Sequence, residues 1–166
     1  ADCEFCIRAD TMKRIEGLID VIKLCVRNAE QLTGAKADIS WGEISAERYP
    51  NRPMCQAFKD NMETLGIEMK WPDPKAQYGS SDIGNVSIKI PAIHDYLSIT
   101  DDKTIQAHTK EYADAAKSEE AQEICLKGAK GLAMTGYDIL SSDEFQAEIR
   151  RFHEQQIPDF YKKKKS

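Results

Sequence analysis

Residues 3–9 read as a short strand, and Asp10 reads as the N-cap of a helix behind it. Met12, Ile15, Leu18, Ile19, Ile22, Val26, Ala29 and Leu32 then recur at spacings of three and four, which gives that helix one apolar face. Gly34 supplies its stop. Residues 35–41 read as a second strand, running on towards Ile44. A strand–helix–strand unit buries only one face and calls for further strands beside it, so the expected fold class is α/β.

The pattern breaks at Tyr49-Pro50-Asn51, with Asn51 as a helix N-cap. Met54, Phe58, Met62 and Leu65 form an amphipathic stripe that ends at Gly66. Residues 70–78 contain two prolines and read as a loop. Residues 85–90 alternate as a strand would, with Val86, Ile88 and Ile90 on one side, and Pro91 ends the run. His94 opens a second short apolar run over residues 96–99. The longest helix of the second half is expected over residues 118–140, with Ala121, Ile124, Cys125, Gly128, Leu132 and Ile139 facing inward. Each helical glycine costs about 1 kcal/mol against alanine, so Gly128 and Gly131 predict close packing against a sheet. A last helix over residues 142–156 packs Phe145, Ile149 and Phe152, and Pro158 stops it.

Composition narrows the function. The chain has 166 residues, 41% hydrophobic and 31% charged, and a formal net charge of −5. An acidic balance argues against a general nucleic-acid binder. The lysine run at 162–165 reads as a solvated tail. No apolar run is long enough to span a bilayer and no signal-peptide pattern opens the chain, so no membrane partner is expected. The five cysteines are odd in number and scattered, which argues against a disulfide framework and for a reducing, cytoplasmic setting. Cys3 and Cys6 form a CxxC with no second pair or matching histidines, so no zinc knuckle is expected. The start at Ala1, without methionine, is what a fragment, a processed chain or a trimmed sequence would look like.

The chemistry-bearing residues gather between Gly79 and Ala116. GSSDIGNVS at 79–87 is a small-residue turn holding an acid; PAIH follows at 91–94 and AHTKEYADAA at 107–116. His108 lies on a loop just before a helical region, where an imidazole can be aimed as a metal ligand. In the turn of Ser80, Ser81 and Asp82, the acid can cap the backbone of its own loop. His94 reads either as a half-buried histidine supporting the sheet or as a group that steadies a metal site without ligating it. His153 reads as surface, and Arg8 as a solvated or salt-bridged arginine, with contact to an anionic substrate as its alternative.

The three blocks in this order resemble the zinc-dependent aminoacylase and carboxypeptidase family, family M twenty of the metallopeptidases. The closest look is to its amidohydrolase branch of aminobenzoyl-glutamate hydrolases and related dipeptidases. There the turn typically reads GSTDxGNVS; here Ser81 stands where threonine is common, keeping the hydroxyl. The resemblance implies half of a ferredoxin-like lid over residues 1–49 and the C-terminal part of a zinc-peptidase-like α/β catalytic domain over 50–166, with 162–166 as basic tail. It implies two zinc ions in an intact enzyme, with manganese and cobalt as other candidates, His108 as the late metal ligand, and the Ser80–Ser81–Asp82 turn at the substrate pocket. It also implies a small amide or dipeptide substrate and a homodimer formed through the lid. The family's early H-x-D has no counterpart in the chain, and its only Glu-Glu, Glu119-Glu120, reads as the exposed first turn of a helix. One histidine cannot hold zinc alone. The expectation is therefore a portion of a metal-dependent amidohydrolase, inactive by itself; a non-catalytic dimerisation module derived from that fold is the alternative.

Overall fold

Seven helices, and no strand, account for the regular structure of the residues that a computed structural model of the chain describes, 2–73 and 79–162. They are α1 (Met12–Thr33), α2 (Arg52–Thr64), α3 (Ile83–Ser87), α4 (Lys110–Ala115), α5 (Glu119–Ser141), α6 (Asp143–Gln156) and α7 (Asp159–Lys162). The expected α/β class, with its strand–helix–strand lid and α/β catalytic portion, is therefore corrected. Residues 3–9, 35–41 and 96–99 form no strand, and the single β-bridge among the described residues is the isolated parallel pair Pro50–Ala92. A strand is held by a neighbour's backbone groups, and none of these segments meets one. Part of the proline-containing loop, at 74–78, and the lysines at 163–165 lie outside the described residues, whereas Lys162 closes α7 and pairs with Asp159.

The long helices form where their caps and apolar spacing place them. Thr11, rather than Asp10, caps α1 by accepting from Arg14 N, while Asp10 pairs with the Arg14 guanidinium at 2.9 Å. Gly34 ends α1 in the left-handed region at φ 74°, its N–H on the Glu30 carbonyl. Asn51 caps α2, Ser118 caps α5 and Ser142 caps α6, each side chain accepting from the N–H three residues on.

The core is a three-helix pack of α2, α5 and α6; α1 packs onto none of these to a comparable extent. Cys55, Phe58 and Met62 of α2 are buried, with Met62 fully enclosed. Gly131 makes room for them: a Cβ there would sit 2.4 Å from the Met62 sulfur. Gly128 does the same for Leu97, whose Cδ1 would lie 2.7 Å from an added Cβ. The close approach predicted at these glycines is present, but it is made to a helix and a loop instead of a sheet. On the same helix Cys125 and Leu132 are exposed, not inward. Asn61 ties α2 to α5, donating to Thr135 Oγ1 at 3.2 Å and to Asp138 Oδ2 at 2.8 Å.

A second, smaller cluster of Ala46, Ile88 and Ile157, with Met12, Tyr49 and Tyr161 against it, joins α1, α3 and the C-terminal end. Glu47 is its polar hub. It accepts from Met12 N at 2.9 Å, from the Tyr49 hydroxyl at 2.7 Å and from the Tyr161 hydroxyl at 2.7 Å. Burial acts to raise its pKa, but the donors of Tyr161, Tyr49 and Met12 outweigh it and hold the carboxyl below its ordinary value.

Candidate functional site

Residues 85–90, expected as a strand, begin in the one-turn helix α3 and continue as a turn. The reason lies in two side chains that make three bonds to the neighbouring segment 44–49 where a ladder would otherwise run. Asn85 accepts from Ala46 N at 2.8 Å and donates to the Ile44 carbonyl at 3.1 Å. Ser87 accepts from Tyr49 N at 2.9 Å and donates to the Gly84 carbonyl at 2.8 Å. Gly84 has to be glycine, because a Cβ would fall 1.9 Å from the Ala46 carbonyl oxygen. His153, expected on the surface, is partly buried, and its Nε2 lies 2.8 Å from the Ser87 carbonyl. The GNVS part of the motif is thus a clamp that fixes residues 44–49.

What the clamp positions is Arg48. Its Nη1 donates to the Tyr96 hydroxyl at 2.8 Å and lies 3.2 Å from His94 Nδ1; its Nη2 reaches the Gly79 carbonyl at 3.5 Å. Arginine has donors only, so His94 Nδ1 accepts, and a neutral His94 carries its proton on Nε2. The His94 ring stacks on Tyr96, with centroids 4.9 Å apart and planes 25° apart. One guanidinium thereby brings together His94, Tyr96 and the start of the Gly79–Asp82 turn.

Within that turn Ser80, Ser81 and Asp82 occupy an open position. Ser81 Oγ accepts from Ile83 N and donates to Asp82 Oδ1 at 3.4 Å, and Gly84 N donates to the Ser81 carbonyl. Asp82 makes no side-chain cap of α3. His108 lies apart. It is exposed on a turn, and at φ 67° it is the one non-glycine residue in the left-handed region among the described residues. The turn is held by Thr109, which donates to the Gln106 carbonyl at 2.7 Å and caps α4 by accepting from Tyr112 N. Among the described residues no hydrogen bond or ring contact joins His108 to the Arg48 group. Nor do any three His, Cys, Asp or Glu side chains among them converge as a metal-binding group. Arg8 is exposed, and Glu119 and Glu120 lie in the first turn of α5.

Beside His94 is a cavity of about 200 Å³, lined by Phe58, Ile93, His94, Asp95, Leu97, Gly128 and Leu132. Asp95 Oδ2 is buried without a hydrogen-bond partner among the described residues, and burial pushes the carboxyl up to about 6. Cys55, on the buried face of α2, is pushed up to about 12 by burial, with the Asp95 charge adding and Arg52 opposing, so it is an inert thiol. Arg48 and Asp95 escaped the sequence reading. Arg48 sits where periodicity is interrupted, and nothing in Glu47-Arg48-Tyr49-Pro50 marks it. Asp95 had one signal, its place directly after His94.

Among the described residues no helix is long and apolar enough to cross a membrane. No protein-family profile matches the chain. It is similar to Xaa-Arg dipeptidase of Mus musculus, 36% identical over 150 residues, which cover 87% of this chain and 34% of that protein. It is equally similar to Xaa-Arg dipeptidase of Homo sapiens, 36% identical over 146 residues, 86% of this chain and 33% of the relative. The chain spans about a third of the length of the curated relatives it matches. Neither carries the name of the aminobenzoyl-glutamate branch. The likeness to these two dipeptidases supports a peptidase kinship for the chain.

Proposed function

We propose that the chain is part of a metal-dependent amide hydrolase that cleaves dipeptides, with arginine or another basic residue at the C-terminal position. The observation that carries this reading is the 36% identity to Xaa-Arg dipeptidases over 87% of the chain. The Arg48 group supports it. A guanidinium matches a carboxylate with two parallel N–H donors, and here it stands at the start of the serine-rich turn. In this reading Arg48, Ser80 and Ser81 receive the substrate's terminal carboxylate, and Asp82 shapes the turn. His94, with Nδ1 taken by Arg48, positions the guanidinium and does not ligate metal.

His108 is the proposed metal ligand. Its exposed imidazole, on a turn fixed by Thr109, suits that role, but a zinc site takes four ligands. The described residues do not close one. The chain has neither an H-x-D nor a Glu-Glu pair ahead of His108. The donors present therefore do not fit a complete zinc site, and no chemical step is assigned through the metal. Hydrolysis is proposed for a polypeptide that supplies the remaining donors, with residues 1–49 and 50–166 as its two portions. The test is His108→Ala in the natural polypeptide that carries this sequence, assayed with Ala-Arg. Bound metal and turnover are expected to fall together; unchanged turnover sinks the assignment.

A specific observation favours a second reading, an association module that pairs two copies through α1. Leu18, Val21, Leu24 and Leu32 of that helix are all exposed, and Ile39 and Trp41 follow it, also exposed. Sedimentation decides: a concentration-independent dimer supports pairing, and a monomer across the range removes it.

A further inference from the structure

The cavity beside His94 combines two properties that belong together in a ligand site. Its wall is mostly apolar, from Phe58, Ile93, Leu97 and Leu132, with the bare backbone of Gly128. Its one carboxyl, Asp95, keeps Oδ2 buried with no donor from the described residues. A buried carboxylate without a donor is costly in a low-dielectric setting, and a cationic partner relieves that cost. Convergence of an apolar wall on one charged group is also the usual make-up of a small-molecule pocket. The volume sets the size of the guest. At a liquid's share of about 30 Å³ per water-sized group, roughly 200 Å³ takes about six such groups.

We propose that this cavity is a subsite for a small organic cation, a primary ammonium or guanidinium on a short apolar stem, with Asp95 as its counter-ion. The cation's stem lies along Phe58, Leu97 and Leu132, and its head meets Asp95. The cavity shares His94 with the Arg48 group, whose guanidinium suits an anion, so the two adjoining positions have opposite preference. The proposal rests on the dipeptidase reading only for which molecule would present the cation, namely the basic side chain of the substrate. Binding of a bare cation tests the cavity whether or not that reading holds.

The experiment is a titration of the 166-residue chain with n-butylammonium, followed by methyl and amide NMR shifts, with n-butanol as the neutral probe of equal size. The expected result is saturable binding with shifts centred on Leu97, Gly128 and Leu132, and at least tenfold weaker binding of n-butanol. Asp95→Asn, of nearly the same shape, is expected to weaken n-butylammonium at least tenfold and leave n-butanol unchanged. Should that variant fail to fold, Leu132→Trp at the exposed mouth keeps the carboxyl, narrows the cavity and is expected to weaken both probes. Absence of saturable binding, equal binding of the two probes, or undiminished binding by a folded variant overturns the proposal. Loss of dipeptide hydrolysis with cation binding intact would fall on the dipeptidase reading alone.

Discussion

The Ser87 hydroxyl accepts the backbone N–H of Tyr49 at 2.9 Å, across 38 residues of sequence, and returns its own proton to the Gly84 carbonyl at 2.8 Å. Ser87 is almost wholly buried. Ser87→Ala removes both bonds and strands a backbone donor away from water, a loss of about 1 to 3 kcal/mol. Urea unfolding is expected to show a lower midpoint with an unchanged slope. A midpoint equal to wild type would mean that the clamp adds nothing to stability.

Two glycines are expected to respond to alanine with opposite sign. At Gly84 the new Cβ would lie 1.9 Å from the Ala46 carbonyl oxygen, a backbone atom that cannot step aside without moving the segment carrying Arg48. Gly84→Ala should cost about 1 to 3 kcal/mol, the range for overfilling a packed site. Gly136, inside α5, has nothing within 4 Å of an added Cβ. Gly136→Ala should therefore stabilise the fold by about 1 kcal/mol through helix propensity alone. Thermal melts of the two variants, run side by side, check the sign of each.

The helical half of the structure was legible because its signals are local. The Asn51 cap and the α2 stripe are read within one or two turns of chain, as are the approximate extents of α5 and α6. Strand identity is not local. Val86, Ile88 and Ile90 alternate as a strand does, but what decides their fate is whether a neighbour offers a ladder. Here Asn85 and Ser87 offer side-chain bonds to residues 44–49 instead. The same distinction holds for the site. His108 and the Ser80–Asp82 turn are visible as motifs, while Arg48 becomes a site residue only through contacts 46 and 48 residues away, with His94 and Tyr96. Asp95 stands out only by its burial.

Glu47 predicts acid sensitivity of the junction between α1 and the C-terminal end. Its pKa is held below the ordinary 4.5 because Tyr161, Tyr49 and Met12 N donate to the charged form and outweigh burial. A depressed carboxyl contributes stability that is present above its unfolded pKa and is lost as pH falls through its folded one. Wild type should lose stability on acidification below about pH 4.5. Glu47→Gln should be less stable at neutral pH and flatter in that window. Chemical denaturation at several pH values measures both slopes, and parallel curves for the two proteins would contradict the assignment.

Asp95 predicts the reverse slope in an adjoining window. Burial raises its carboxyl from 3.8 to about 6. The folded chain therefore holds a proton there that the unfolded chain has lost, and stability falls as pH rises from about 4 to 6. A shift of about two units is worth about 3 kcal/mol at full strength and, with the group partly open to solvent, about 1 to 2 kcal/mol. Asp95→Asn should be more stable than wild type above pH 6 and show no slope between pH 4 and 6. A wild type with no such slope would show that Asp95 finds a partner on its own.

Arg48→Lys separates charge from geometry. Lysine keeps the positive charge but cannot reach His94 Nδ1, the Tyr96 hydroxyl and the Gly79 carbonyl from one rigid plane. If Arg48 receives a substrate carboxylate, as proposed, the natural polypeptide carrying this change should show KM for Ala-Arg raised roughly tenfold or more, about 1.4 kcal/mol of lost binding. Its kcat should fall by less, since the carboxylate carries the same charge in the ground state and the transition state and is bound alike in both. Tyr96→Phe removes one acceptor and leaves the guanidinium in place, so its KM should rise less than that of Arg48→Lys. The discriminating control is Ala-Arg amide, which lacks the carboxylate. Wild type should handle it poorly, and Arg48→Lys should change it little. An equal loss on both substrates would reduce Arg48 to a structural tie between the turn and His94.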